Sequence, residues 1–316
     1  MHLPIDLEPN SSVLVAGAGG GYDVVCALPI ALALREAGHT VHFASYSFTN
    51  LEEVGETRQP LPHLYRVTSV STAPQNGYFP EGYLAQWLTE LFQEEAVIWC
   101  YNKVGVRPLA KLLAHLCQEI HLNAVVLLDA GVDGLFEGSE HEIGTPAVDM
   151  VSLFAANQLS HLKRFYACTA FGTEGRNHSV RHADALMRIS QQVALGGMLG
   201  VSALLPQQPY GKLFPAAVEF IHSKVGKDWH SNMASSIQAA LKGKFGHHDL
   251  TVKTTDSQIW VSPLTLLYWF FSLESIVEVK PFRRRAVSTD TVQEMNELIA
   301  ETRGRSKVLP RLDIPI

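Results

Sequence analysis

Cysteine is scarce in this chain: four residues in 316, Cys26, Cys100, Cys117 and Cys168, lie far apart with no Cys-x-x-Cys pair. That excludes a disulfide framework and a thiolate zinc site, and fits buried free thiols in a reducing compartment. Basic charge is also short. The 25 Lys and Arg against 31 Asp and Glu leave a net charge of −6. A general nucleic-acid binder carries a basic surface, so no nucleic-acid partner is expected. The one dense basic cluster, Arg283-Arg284-Arg285, suits a solvated face or a carboxylate clamp. Apolar runs long enough to span a membrane are missing. The longest, Ile259 to Leu273, is broken by Ser262-Pro263, a pairing that fits an N-cap and first helical position. It reads as a buried strand followed by a buried helix. Met1 to Asn10 holds Asp6, Glu8 and two prolines, unlike a secretory leader. The expectation is a soluble, cytoplasmic protein without a membrane partner; a homo-oligomer is compatible with the sequence.

Several functional motifs are absent as well. No Gly-Lys-Ser/Thr follows the glycine-rich turn, so there is no P-loop. No Gly-x-Ser-x-Gly elbow supports a hydrolase triad. No repeat of solenoid period and no Pro-, Gly- or Ser-rich linker divides the chain. One α/β domain over 1–316 follows, with 206–256 as a helical lobe or lid.

What the sequence does have is α/β alternation. Ser12 to Ala16 is an apolar strand, Asp23 to Ala37 is helical and ends at Gly38, and Thr40 to Ala44 is the next strand. That βαβ length implies parallel pairing. His63 to Val70 reads as a third strand, Tyr83 to Trp99 and Val106 to Ile120 as helices. Asn123 to Leu128 reads as a strand buried on both faces. A helix from Ala147, a strand over Phe165 to Phe171 and a helix over Val180 to Leu195 continue the pattern. Further on, Trp229 to Leu241 looks helical, and Ser288 to Thr302 is an amphipathic helix closed by Gly304. The predicted fold is a Rossmann-like doubly wound, mostly parallel sheet with helices on both faces.

Three strand ends carry glycine and acids: Gly17-Ala-Gly19-Gly20-Gly21-Tyr22-Asp23, Asp129-Ala-Gly-Val-Asp133-Gly, and Phe171-Gly-Thr-Glu174. Ligands of open parallel sheets bind outside the carboxyl ends of the strands, so these turns mark a candidate site. The first is not a dinucleotide fingerprint. Tyr22 stands where a small residue is needed, and no acid follows the second strand after Ala44. NAD(P) is therefore not expected. Gly17, Gly19, Gly20 and Gly21, with Asp23 and Thr145, are substrate-binding candidates, the glycines through backbone N–H groups. Asp23 would repel a bare phosphate, which suits a cation or an ammonium group between the two. Asp129, Asp133 and Glu137 are candidate ligands for Mg²⁺ or Mn²⁺, hard cations that take carboxylate oxygen. Glu174 and Asp129 are the catalytic candidates. Thr145 and Asp149 also sit where helix caps belong, and Asp149 reads as structural. His178 and His182, four apart, lack the further ligands of a zinc site.

The residues Gly17 to Asp23, Asp129 to Gly134, Glu137-Gly-Ser-Glu140 and Gly144-Thr-Pro-Ala-Val-Asp149 together resemble the motifs of a prokaryotic family known as a domain of unknown function, numbered 1152. Ala130 departs from the glycine usual there by one methyl group. The resemblance implies a Rossmann-like fold and lends no reaction. From the residues, the expected function is an enzyme, a metal-assisted hydrolase or transferase of a small polar, phosphorylated or nucleotide-like metabolite. A non-catalytic small-molecule binder using the same crevice is the alternative.

Overall fold

The computed structural model describes residues 1–173, 180–254 and 259–312. β1 (Ser12–Gly20) opens the fold, with Val13 and Val15 in one hydrophobic cluster and Leu14, Ala16 and Ala18 in the other. Both faces are covered, which is why the strand is an unbroken apolar run. α1 (Asp23–Cys26) and α2 (Leu28–Glu36) follow. The single helix expected over Asp23 to Ala37 is interrupted at Ala27, because Pro29 removes a ladder N–H and crowds the preceding turn. β2 (Thr40–Tyr46) pairs parallel with β1.

β3 (Arg58–Leu61) and β4 (Leu64–Val67) form an antiparallel hairpin at one edge. The strand expected over His63 to Val70 is β4, antiparallel to its neighbours, and a further parallel strand, β5 (Ile98–Tyr101), begins where a helix was expected to run on to Trp99. α3 (Pro80–Phe92) ends earlier, where Gln93 turns left-handed at φ 55°. Ile-Trp-Cys-Tyr is a short apolar run that periodicity cannot assign to helix or strand. α4 (Val106–Glu119) leads to β6 (Ala124–Asp129), and α5 (Ala147–Asn157) to β7 (Lys163–Cys168).

Then come α6 (His182–Ala194), β8 (Met198–Ala203), α7 (Pro209–Lys224) and α8 (Asn232–Leu241). A small hairpin pairs β9 (Gly246–His248) with β10 (Ile259–Val261). β11 (Leu267–Ser272), α9 (Leu273–Glu278), α10 (Arg283–Ala286) and α11 (Val292–Arg305) complete the chain. Two expectations need correction here. Ser262 does cap a helical turn at Pro263, but that turn is a single 3₁₀ step, Pro263–Leu266, and the apolar residues after it form β11 rather than a buried helix. Tyr268, Phe270 and Phe271 are aromatic strand formers buried in the sheet. Gly304 lies within α11 rather than closing it; the capping box at Thr291 sets its start instead.

The main sheet has the order β3-β4-β5-β2-β1-β6-β7-β11-β8. The five central strands, β5 to β7 in that order, are parallel, and the flanking strands are antiparallel. α1, α2, α3 and α7 contribute to the apolar cluster on one face; α4, α5, α9 and α11 to that on the other. The chain winds from β1 to β2 on one side and from β6 to β7 on the other. The order therefore reverses between β1 and β6, which is the switch point where such folds open a crevice. Within 206–256, α7 packs on α2 and α3 as part of the core layer, while α8 reaches the crevice. Among the described residues no helix is long and apolar enough to cross a membrane.

Candidate functional site

Because β1 and β6 are parallel neighbours, the turn after β1 and the last residue of β6 arrive at the same end of the sheet. A cavity of about 360 Å³ opens there, and its lining includes Gly19, Gly20, Asp23, Asp129, Asp133 and Asp149. Phe48, Val148 and Met233 supply an apolar wall, and Thr145 lies between. Asp23, Asp129 and Asp149 each present a carboxylate oxygen within 4.8 Å of the other two.

Each acid is held differently. Asp23, the first residue of α1, accepts from the Gly19 N–H at 2.7 Å and from the Ala130 N–H. Asp129 accepts from the Gly134 N–H at 3.0 Å and the Tyr166 hydroxyl at 2.7 Å, both on Oδ2. That leaves its Oδ1 for a ligand. Asp149, in the first turn of α5, is buried, and its Oδ1 has no hydrogen-bond partner. A buried carboxylate oxygen without a protein partner is costly, which makes this atom the candidate contact for whatever fills the cavity.

Glycine is required where the backbone meets these acids. A Cβ on Gly19 would stand 2.8 Å from both Asp149 Oδ1 and Asp23 Oδ2, filling the space between them. One on Gly134 would press on Asp129 Oδ2 at 2.9 Å and on the Tyr166 hydroxyl at 2.6 Å.

Electrostatics follow from the crowding. Burial, then the neighbouring charge of Asp129, pushes Asp23 well above the usual carboxylate range. Burial, then Asp133, pushes Asp129 up to about 7. Burial pushes Asp133 up to about 6 against a 2.7 Å bond from the Thr145 N–H. Asp149 is raised by burial and then by Asp129, Asp133 and Asp23. Among the described residues no Lys, Arg or His lines the cavity. The four carboxylates are therefore without a cation in the lining.

The expected residues divide. Gly19, Gly20, Asp23, Asp129, Asp133 and Thr145 meet at the cavity. Gly17 lies beneath Asp23, where a Cβ would touch the Asp23 Cβ at 2.8 Å, and Gly21 abuts the Tyr78 hydroxyl. The Gly19 N–H, expected to face a substrate anion, instead serves Asp23. Glu137 turns away to Arg188 at 2.8 Å. Glu174 and His178 lie outside the described residues. His182 has no metal-ligand group around it among those residues; its ring packs on Phe171.

Sequence reasoning set Asp149 aside as a cap, yet it completes the trio. Helix-start position explains both roles equally well, so spacing alone cannot separate them. Tyr166 and Lys280 were also missed. Tyr166 sits inside β7, and its contact with Asp129 follows from strand register, Leu127 facing Tyr166. No match was found among curated proteins or among solved structures. A family model does match, over residues 14–308. The chain belongs to that family, described as "Protein of unknown function (DUF1152)".

Proposed function

We propose that Asp23, Asp129 and Asp149 hold a divalent cation, Mg²⁺ or Mn²⁺, in an enzyme that hydrolyses or transfers a group of a small polar metabolite. The observation that carries this reading is the buried, unpartnered Asp149 Oδ1 beside two other carboxylates. Hard cations take oxygen ligands and keep several waters, and the cavity has room for both cation and a small ligand. A bound cation of this kind supplies Lewis-acid polarisation and a more acidic water. Asp133 lines the same cavity outside the trio, and in this reading it is the group placed to exchange a proton with the substrate or a water on the cation.

The charge of the lining constrains the substrate. With no basic side chain among the described lining residues, a phosphate or carboxylate of the substrate is held through the cation rather than by the protein. The uncharged remainder lies against Phe48, Val148 and Met233. NAD(P) has no part in this reading, since Tyr22 occupies the place of the third glycine.

The test is cation-dependent stability followed by turnover. A ligand that binds only the folded state stabilises it by about 3 kcal/mol at a hundredfold excess over its Kd. Mg²⁺ or Mn²⁺ should give that gain in the wild type and not in Asp129→Asn with Asp149→Asn. Equal gains in both would locate the cation elsewhere, and no gain in either would leave the carboxylates to an ammonium-bearing substrate. Binding without metal-dependent turnover of phosphorylated and nucleotide-like compounds would favour the non-catalytic binder.

A further inference from the structure

Beside the cavity lies a lysine that solvent does not reach. Lys280, between α9 and α10, is fully buried. Its ammonium donates to the carbonyls of Gly134 at 2.8 Å and Phe136 at 2.6 Å. Those carbonyls belong to and follow the 3₁₀ turn Asp133–Leu135. The same turn donates its Gly134 N–H to Asp129 Oδ2, and the glycine's missing side chain lets it press on that carboxylate. One residue is thus held from behind by Lys280 and holds Asp129 in front.

The geometry points to Lys280 as a positioning residue for the cation site, fixing the turn that aims Asp129 and carries Asp133. A buried cation is costly, and a turn needing only support could be packed with apolar side chains. The ammonium does what they cannot. It satisfies two buried carbonyls with charge-assisted bonds and so removes the turn's freedom to rotate Gly134 away from Asp129. Its positive charge also opposes the mutual repulsion of Asp129 and Asp133 in the cation-free protein. Those two effects have opposite consequences for a cation. Charge alone would weaken cation binding, whereas positioning strengthens it.

This inference rests on the proposed cation site for one of its readouts and is independent of it for the other. In Lys280→Met, Mn²⁺ affinity measured by calorimetry should fall at least about tenfold, and exchange of the Gly134 amide followed by NMR should quicken at least about tenfold while the β6 amides stay protected. Unchanged or tighter Mn²⁺ binding would overturn a positioning role, because loss of charge alone gives the tighter result. If the wild type binds no Mn²⁺, the cation reading fails and the Gly134 amide still decides. Exchange unchanged there would overturn the inference. Should the methionine variant not fold, Lys280→Leu, which also removes both donors, carries the same two readouts with the same expected and overturning results.

Discussion

The loop between β6 and α5 supplies carboxylates to two neighbouring clusters with opposite character. Toward the switch point, Asp129, Asp133 and Asp149 join Asp23 around a cavity whose described lining has no cation, and one oxygen of Asp149 is left unpartnered. Toward α6, Glu137 and Glu140 meet Arg188. Glu140 is fully buried and accepts from Arg188 as well as from the N–H groups of Glu137 and Gly138. Arg188 also reaches Ser139 and Gln191, and Arg303 ties the carbonyls of Glu140 and His141 to α11. Both clusters are built of carboxylates, and both have buried members, Asp129 and Asp149 in one and Glu140 in the other. Satisfaction separates them. A buried carboxylate with its cation and hydrogen bonds in place holds the loop; one without them is the kind of group the proposed cation would satisfy.

Breaking the satisfied cluster should have the largest effect. Arg188→Ala leaves Glu140 buried without its cation, and removing one partner of a buried ion pair costs about 3–5 kcal/mol. Urea unfolding should show the midpoint falling by that amount divided by an unchanged m-value. A loss below about 1 kcal/mol would mean that water reaches Glu140 and that the two clusters are alike.

The unsatisfied cluster should respond with the opposite sign. Asp149→Asn removes a charge that three other carboxylates repel, so the cation-free protein should gain about 1–2 kcal/mol near pH 8. Glu140→Gln, the same chemical change in the other cluster, should lose a comparable amount. pH works in the same direction as the first substitution. Asp129, Asp133, Asp149 and Asp23 all have folded pKa values above their unfolded ones. These four acids therefore hold more protons in the folded state between about pH 4 and 7. Their contribution to stability in chelator, read as the difference between wild type and Asp129→Asn with Asp149→Asn, should rise as pH falls through that window by about 1.4 kcal/mol per pH unit for each proton taken up. It is opposite in sign to that of His42, His182 and His222, whose burial lowers their pKa values. Lys280, lowered to about 7 by burial, is protonated in both states below that window's upper end. Its effect falls between about pH 7 and 10.5, where stability rises with pH as the folded amine no longer has to be charged. Saturating Mn²⁺ should reverse the acid limb, since protons then compete with the cation. A difference between wild type and that variant that does not change from pH 7 to 5 without cation would show that these acids are ionised and partnered.

How much of this was legible in the residues depends on what fixed each feature. Asp23 and Asp129 could be brought together on paper because strand-end acids on parallel neighbours must share an edge, and the apolar runs of β1 and β6 are unmistakable. β5 and β11 could not be found with the same rule. Ile98 to Tyr101 and Leu267 to Phe271 are short and apolar throughout, and only pairing with β2 and β7 tells strand from helix there. The division of the acidic loop was invisible for a related reason. Four-residue steps from Asp129 through Asp133 to Glu137 look like one set, but the 3₁₀ turn at Asp133 intervenes and Glu137 meets Arg188 instead. Arg188 and Lys280, which decide that division, lie far along the chain, and no motif in the sequence links them to the loop.

The smallest effect is the one that defines the border between the clusters. Glu137 pairs with Arg188 but keeps about a quarter of its side chain exposed, at 23%. Its pKa is raised by burial, against the pull of Arg188 and Lys280. Partly exposed ion pairs contribute little, so Glu137→Gln should cost about 1 kcal/mol or less. Its carboxylate belongs to the satisfied side, and Mn²⁺ affinity in the variant should match the wild type within about twofold. A tenfold loss of affinity would mean that Glu137 leaves Arg188 for the cation. The loop would then supply one continuous set of ligands, as its four-residue spacing first suggests, and the contrast between a holding cluster and a waiting one would dissolve at the residue where it is weakest.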